Sequence, residues 1–93
     1  MSTYVLTVST PDGTLLKEPV FSLSLRGAEG DLAILPGHMP FATVVRPGVC
    51  KIEMEDGEIK VGRSEGGILT VTSQGATLLS STFRWETEEV KTR

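Results

Sequence analysis

The 93 residues include a single cysteine, a single histidine and no asparagine. Cys50 therefore has no internal disulfide partner, and without asparagine there is no N-glycosylation acceptor. Residues 1–9 carry neither the basic start nor the apolar core of a secretory signal. These absences point to a reducing, cytoplasmic setting. No apolar run approaches the roughly 20 residues of a transmembrane helix, so membrane association is expected to run through a partner, without direct insertion. Positive charge is in deficit: nine Lys and Arg against twelve Asp and Glu leave a net charge of −3. A field of that sign repels nucleic acid and anionic lipid.

What is present reads as one globular β domain. Hydrophobic residues make up 39% and charged residues 23%, an ordinary balance for a folded chain of this length. Tyr4, Leu6 and Val8 alternate with Val5, Thr7 and Ser9, which puts one apolar row on one side of an extended segment. The same period runs through Phe21, Leu23 and Leu25, through Cys50, Ile52 and Met54, through Ile59 and Val61, and through Leu69 and Val71. Thr77 to Phe83 is the expected last strand. Between these rows lie Pro11-Asp12-Gly13, Pro36-Gly37, Pro47-Gly48, Asp56-Gly57, Gly66-Gly67 and Gln74-Gly75, each offering a residue that tolerates positive φ. Pro36-Gly37 and Pro47-Gly48 predict type II turns, and Asp56-Gly57 predicts a two-residue hairpin. The expected architecture is all-β, a flattened β-sandwich or barrel of about 8–10 short antiparallel strands over residues 1–85. Residues 86–93 are expected to be a short tail that opens a helix, with Thr87 as N-cap and Glu88 and Glu89 in its first turn.

The residues of catalysis are sparse. Cys50 and His38 are the one conceivable nucleophile and base, yet Cys50 shares its row with Ile52 and Met54, the pattern of a buried structural thiol. One histidine and one cysteine fall short of a zinc site. Neither Gly27-Ala28-Glu29-Gly30 nor Glu65-Gly66-Gly67 is followed by a lysine or a helix, so no phosphate loop is present. Glu53, Glu55, Asp56 and Glu58 occupy the polar face and tip of a hairpin and read as solvated charge. No metal, cofactor or catalytic residue is expected. A binding module for a small ligand or carbohydrate is the alternative to a docking protein, but Tyr4, Phe21, Phe41, Phe83 and Trp85 are scattered along the chain.

One segment departs from the plain alternation. Arg26-Gly27-Ala28-Glu29-Gly30-Asp31-Leu32-Ala33-Ile34-Leu35-Pro36-Gly37-His38-Met39-Pro40 places two turns around one short apolar strand. The expected result is a pair of loops at one end of the sandwich, showing Glu29 and Asp31 on one and His38 and Met39 on the other. Rigid scaffolds often carry function on such loops.

This segment, with Val8-Ser9-Thr10-Pro11-Asp12-Gly13, Arg46-Pro47-Gly48-Val49, Asp56-Gly57 and Gly66-Gly67-Ile68-Leu69-Thr70-Val71, resembles the N-terminal β-sandwich of the epsilon subunit of F-type ATP synthases. The resemblance runs to about Phe83. It implies a non-catalytic rotor subunit that binds the gamma subunit and docks on the polar loops of the c-ring, coupling proton or sodium transport to ATP synthesis. The expected setting is peripheral, on the cytoplasmic side of a bacterial inner membrane or its organellar equivalent. It assigns Glu29, Asp31, His38 and Met39 to the ring-facing loops, Thr10 and Thr43 to the gamma side, and Pro36, Gly37, Pro47 and Gly48 to the turn scaffold. The family's ATP-binding and inhibitory helices follow the matched region, so neither function is carried over. Trp85 is expected either to cap the open end of the sandwich or to anchor gamma.

Overall fold

The computed structural model describes residues 2–86. Nine strands follow in order: β1 (Tyr4–Thr10), β2 (Gly13–Gly27), β3 (Gly30–Ile34), β4 (Phe41–Val45), β5 (Gly48–Met54), β6 (Ile59–Ser64), β7 (Gly67–Thr72), β8 (Gly75–Ser80) and β9 (Phe83–Trp85). The tail expected beyond Glu86 lies outside the described residues. One sheet face is built from β2, β1, β8, β7 and β4, and the other from β3, β2, β5, β6 and β9. All pairings are antiparallel except β1 with β8, which run parallel with Leu6 beside Ala76 and Ser9 beside Leu79. The architecture is the expected all-β sandwich.

The longest strand belongs to both faces. β2 pairs with β1 from Gly13 to Val20, then with β5 from Val20 to Ser24 and with β3 from Leu23 to Gly27. The register slips between Val20 and Ser22. That bulge at Phe21 inserts one residue, so the inward parity changes from Leu16 and Val20 to Leu23 and Leu25. Phe21 therefore does not continue the buried row of Leu23 and Leu25; it lies half-buried at the bend.

The core joins both faces. Leu6 and Val8 come from β1, Cys50, Ile52 and Met54 from β5, Leu69 and Val71 from β7, and Ala76 and Leu78 from β8. The Tyr4 hydroxyl crosses from β1 to donate to the Ile34 carbonyl at 2.7 Å. Burial pushes the Tyr4 phenol above its ordinary range, so it stays a protonated donor.

Strand β6 overturns the expected row of Ile59 and Val61. The fully inward positions are Gly62 and Ser64, and Ile59 is exposed. The cause is β9: a Cβ at Gly62 would overlap the Phe83 ring, so only glycine lets that ring enter the core. Phe83 meets Trp85 edge-to-face at 5.0 Å between centroids, and the Lys60 ammonium lies 5.6 Å from the Trp85 ring centre. Half-buried Trp85 packs on the core, which supports its capping role.

Ser64 and Ser80 explain why the expected last strand divides at Ser81 and Thr82. The Gly66 N–H donates to Ser64 Oγ at 3.0 Å, the two serine hydroxyls meet at 2.7 Å, and Ser80 donates to the Thr82 carbonyl at 2.8 Å. With Ser64 donating to Ser80, one proton per hydroxyl satisfies the whole chain. It pins the β6–β7 corner to the β8–β9 corner.

Two turns differ from expectation. Leu35-Pro36-Gly37-His38 closes as a type II turn, with Gly37 at φ 83° and His38 N bonded to Leu35 O at 3.3 Å. Gly48 lacks positive φ and simply opens β5, because the Arg46 N–H is already held by Arg26 O at 2.9 Å and the chain continues extended. At Asp56-Gly57 the loop has three residues rather than two: Gly57 N bonds Met54 O at 3.0 Å, and Gly57 alone takes positive φ. Asp56 stays in the ordinary region and caps the turn through Oδ1, which accepts from Glu58 N at 2.9 Å.

Ser64→Ala should lower the urea-unfolding free energy by about 1–3 kcal/mol, because it orphans the Gly66 N–H and removes the donor to Ser80. Ser73→Ala, in an exposed turn, should stay within about 0.5 kcal/mol. Burial also pushes the Cys50 thiol up to about 11. The folded state thus holds this proton more tightly than the unfolded chain, and the associated stability is full below the unfolded value. It should be lost as pH climbs from about 9 toward 11. Cys50→Ala should start less stable but show a shallower decline over that window.

Candidate functional site

The sites expected from the sequence do not form one cluster. Glu29 sits in the two-residue turn between β2 and β3, and Asp31 follows in β3 directly opposite Arg26. His38 and Met39 lie in the connection after β3. The five residues of β3 separate the two loops by roughly 14 Å of extended chain. They flank opposite ends of one strand, which corrects the expectation of a shared end. A hairpin strand leaves its turn and runs away from it, so residues before and after β3 cannot converge.

The Glu29 end is a mixed-charge surface. Asp31 Oδ1 lies 3.4 Å from Arg26 Nε, and both side chains are mostly exposed. Such a pair contributes about 0–1 kcal/mol and opens easily to an outside partner. The turn itself is fastened from beneath by Ala28 N to Val44 O at 3.0 Å and by Arg46 N to Arg26 O. The acidic tip therefore rests on a rigid base.

The His38 end borders a groove of about 510 Å³ with Tyr4, Leu35, Thr72 and Gln74 among its lining residues. The His38 ring meets Phe41 at 5.2 Å between centroids, tilted by 55°, and Met39 is 78% exposed. The groove is large enough for a small ligand but holds two rings only, and the Tyr4 hydroxyl is committed to Ile34. The groove itself therefore offers no stacking platform for a sugar. Cys50 is buried in β5 while His38 is exposed, so the conceivable nucleophile and base are not a pair.

Thr10 closes the β1–β2 turn, its Oγ1 accepting from Asp12 N at 3.2 Å. Thr43 lies on the inward side of β4, opposite the buried Leu69. Its neighbour Val44 takes the outward position. Val44 stands opposite Ile68, and Ile68 opposite Leu79, so three apolar side chains form one ladder across β4, β7 and β8. They are 57%, 50% and 56% exposed. Beside them run Ala42, Thr70, Thr77 and Thr7 in the same registers. A flat apolar and threonine surface on a water-facing sheet is the mark of an interface. The clue in the sequence was the doubled pairs Val44-Val45, Ile68-Leu69 and Leu78-Leu79, which put apolar side chains on both faces of a strand that alternation alone would leave polar outside.

Comparison with known structures matches the fold almost end to end. A chain of the Euglena gracilis mitochondrial ATP synthase, from its OSCP/F1/c-ring assembly in rotational state 1, superposes with a TM-score of 0.86 at 24% identity, over 98% of this chain and 59% of that one. A chain of the Tetrahymena thermophila mitochondrial ATP synthase central stalk and c-ring superposes with a TM-score of 0.73 at 19% identity, over 88% and 66%. This chain thus spans less than two thirds of the length of either. The family model described as the β-sandwich domain of the ATP synthase delta/epsilon chain matches residues 3–86. With that match covering every strand residue, the chain belongs to the ATP synthase delta/epsilon β-sandwich family.

Proposed function

We propose that this domain is a non-catalytic central-stalk subunit of an F-type ATP synthase, docked on the gamma subunit and turned toward the c-ring, so that ion transport is coupled to ATP synthesis. The observation that carries the reading is the exposed ladder of Val44, Ile68 and Leu79 on a chain of the delta/epsilon family. An apolar face of this kind suits a lasting contact with gamma, which needs on the order of 1,200 Å² or more of buried surface. Thr10 and Thr43 were the sequence-based choices for this side; the outward ladder beside Thr43 is the better anchor, with Thr43 supporting it from within.

The β2–β3 turn, with Glu29 and Asp31, is assigned to the ring. Basic ring loops, which the family resemblance implies, would find an acidic tip on a stiff base. His38 and Met39 lie at the other end of β3 and cannot share that contact, so they border a separate surface. A rotor part of this kind stays peripheral to the membrane, and no described helix is long and apolar enough to cross one. Its work is mechanical: a close-packed core passes strain with little compression.

Two measurements test the reading. Ile68→Asp should weaken the complex with the cognate gamma subunit at least tenfold, about 1.4 kcal/mol or more, while the unfolding midpoint moves little, because the side chain points outward. Unchanged co-migration on size exclusion would remove the ladder from the interface. Asp31→Lys should reduce proton-coupled ATP synthesis in reconstituted enzyme and leave gamma binding intact, with Asp31→Asn intermediate. Equal loss of gamma binding and coupling would show that this turn does not face the ring.

A further inference from the structure

The outer face of β3, β2, β5, β6 and β9 carries a cationic row that the proposed stalk contacts leave unused. Ser24 pairs with Lys51, and two residues along β2 Arg26 reaches the start of β5, where a Cβ on Gly48 would lie 3.8 Å from the Arg26 Cβ. Val49 stands opposite Arg63, and Arg63 opposite Arg84. All these side chains point away from the core, whose inward positions in the same strands are Leu25, Cys50, Ser64 and Phe83. Between them runs a groove of about 440 Å³ lined by Ser24, Arg26, Asp31, Val49, Lys51 and Arg63.

Four features say what the row is for. Arg63 and Arg84 face each other directly across β6 and β9, a like-charge pair that costs stability unless an anion lies between. The row already holds two carboxylates: Asp31 on Arg26 at 3.4 Å and Glu86 on Arg63 at 3.9 Å. Among the described residues, Lys51 and Arg84 have no carboxylate within ion-pair reach. Val49, 47% exposed, stands in the middle.

We infer that this groove, continued past Arg63 to Arg84, is a docking site for an extended acidic peptide segment of a partner protein, one that carries a carboxylate at every second position. From β2 to β9 the row crosses three strand intervals, roughly 14 Å, the length of four to five extended residues. Carboxylates at every second position of the segment share one face and meet Lys51, Arg63 and Arg84 around Val49, while the intervening side chains face outward. Guanidinium groups favour planar, two-point contact with such acids. The acidic rim of Asp31 and Glu86 and the net charge of −3 turn away a broad anionic surface such as a membrane or nucleic acid, while a narrow strand passes between them.

The test is fluorescence anisotropy with a labelled ten-residue peptide of alternating Glu and Val, titrated with the full chain at about 0.05 M and 0.15 M salt. Saturable binding is expected, at least tenfold tighter than to the Gln-Val peptide. Lys51→Glu and Arg84→Glu should each weaken it at least tenfold, and Glu86→Gln should strengthen it severalfold by freeing Arg63. Lys17→Glu, on a different face, should leave it nearly unchanged. No binding, equal binding of the Gln-Val peptide, or equal loss from Lys17→Glu would overturn the inference. So would tighter binding to anionic phosphatidylserine vesicles or to inorganic phosphate than to the peptide. Intact gamma binding by Arg84→Glu separates failure here from failure of the stalk assignment.

Discussion

The bend of β2 at Phe21 is the constraint on which the other surfaces depend. One strand of fifteen residues serves both faces, so the two sheets cannot slide or separate without breaking its backbone ladder. The bulge supplies the change of parity that lets Leu16 and Val20 fill one half of the core and Leu23 and Leu25 the other. Downstream, β2 pairs with β3 on one side and β5 on the other, so it sets the position of the acidic turn and of the basic row together. Tyr4 adds a second tie by spanning from β1 to Ile34.

A scaffold locked in this way can present different chemistry on each side. The outer face of β4, β7 and β8 is apolar and threonine-rich, while the outer face of β5, β6 and β9 carries arginine and lysine. The sheet period makes this separation possible, because inward positions are spent on the core and outward ones are free to differ. The Ser64–Ser80 pair keeps the two faces in fixed relation where they meet at the corners. Every buried side-chain polar atom among the described residues has a hydrogen-bond partner, so neither face is held at the expense of an unsatisfied group.

Much of the fold was legible because burial imposes period two. The rows of Leu6 and Val8, of Cys50, Ile52 and Met54, and of Leu69 and Val71 all face the core as their alternation implied. The turn at Pro36-Gly37 was legible from proline and glycine chemistry alone. The β6 row was not, because its inward residues are glycine and serine, chosen to admit the Phe83 ring and to bond Ser80 rather than to be apolar. Nor was the bulge at Phe21, where an inserted residue leaves the local pattern plausible on either side. The candidate loops were found, but their placement was wrong by the length of β3: a sequence shows that two turns enclose a strand, and only strand direction shows that they then lie apart. The apolar ladder needed cross-strand register, which no single segment contains.

Charge shows the same gap between a sum and its arrangement. A net charge of −3 speaks only for the far field, which on that sum repels a nucleic acid or lipid surface. Screening limits that field to roughly 8–10 Å at ordinary salt, about two strand widths, so a groove lined by Arg26, Lys51 and Arg63 is governed by its own residues. On the same sheet Glu55, Asp56 and Glu58 gather at the β5–β6 tip beside Glu18. The acidic tip and the basic row therefore act as separate neighbourhoods on one rigid body. An acidic segment laid across β2, β5, β6 and β9 is therefore repelled from the β5–β6 tip and held at the basic end of the same strands, which fixes its position along them.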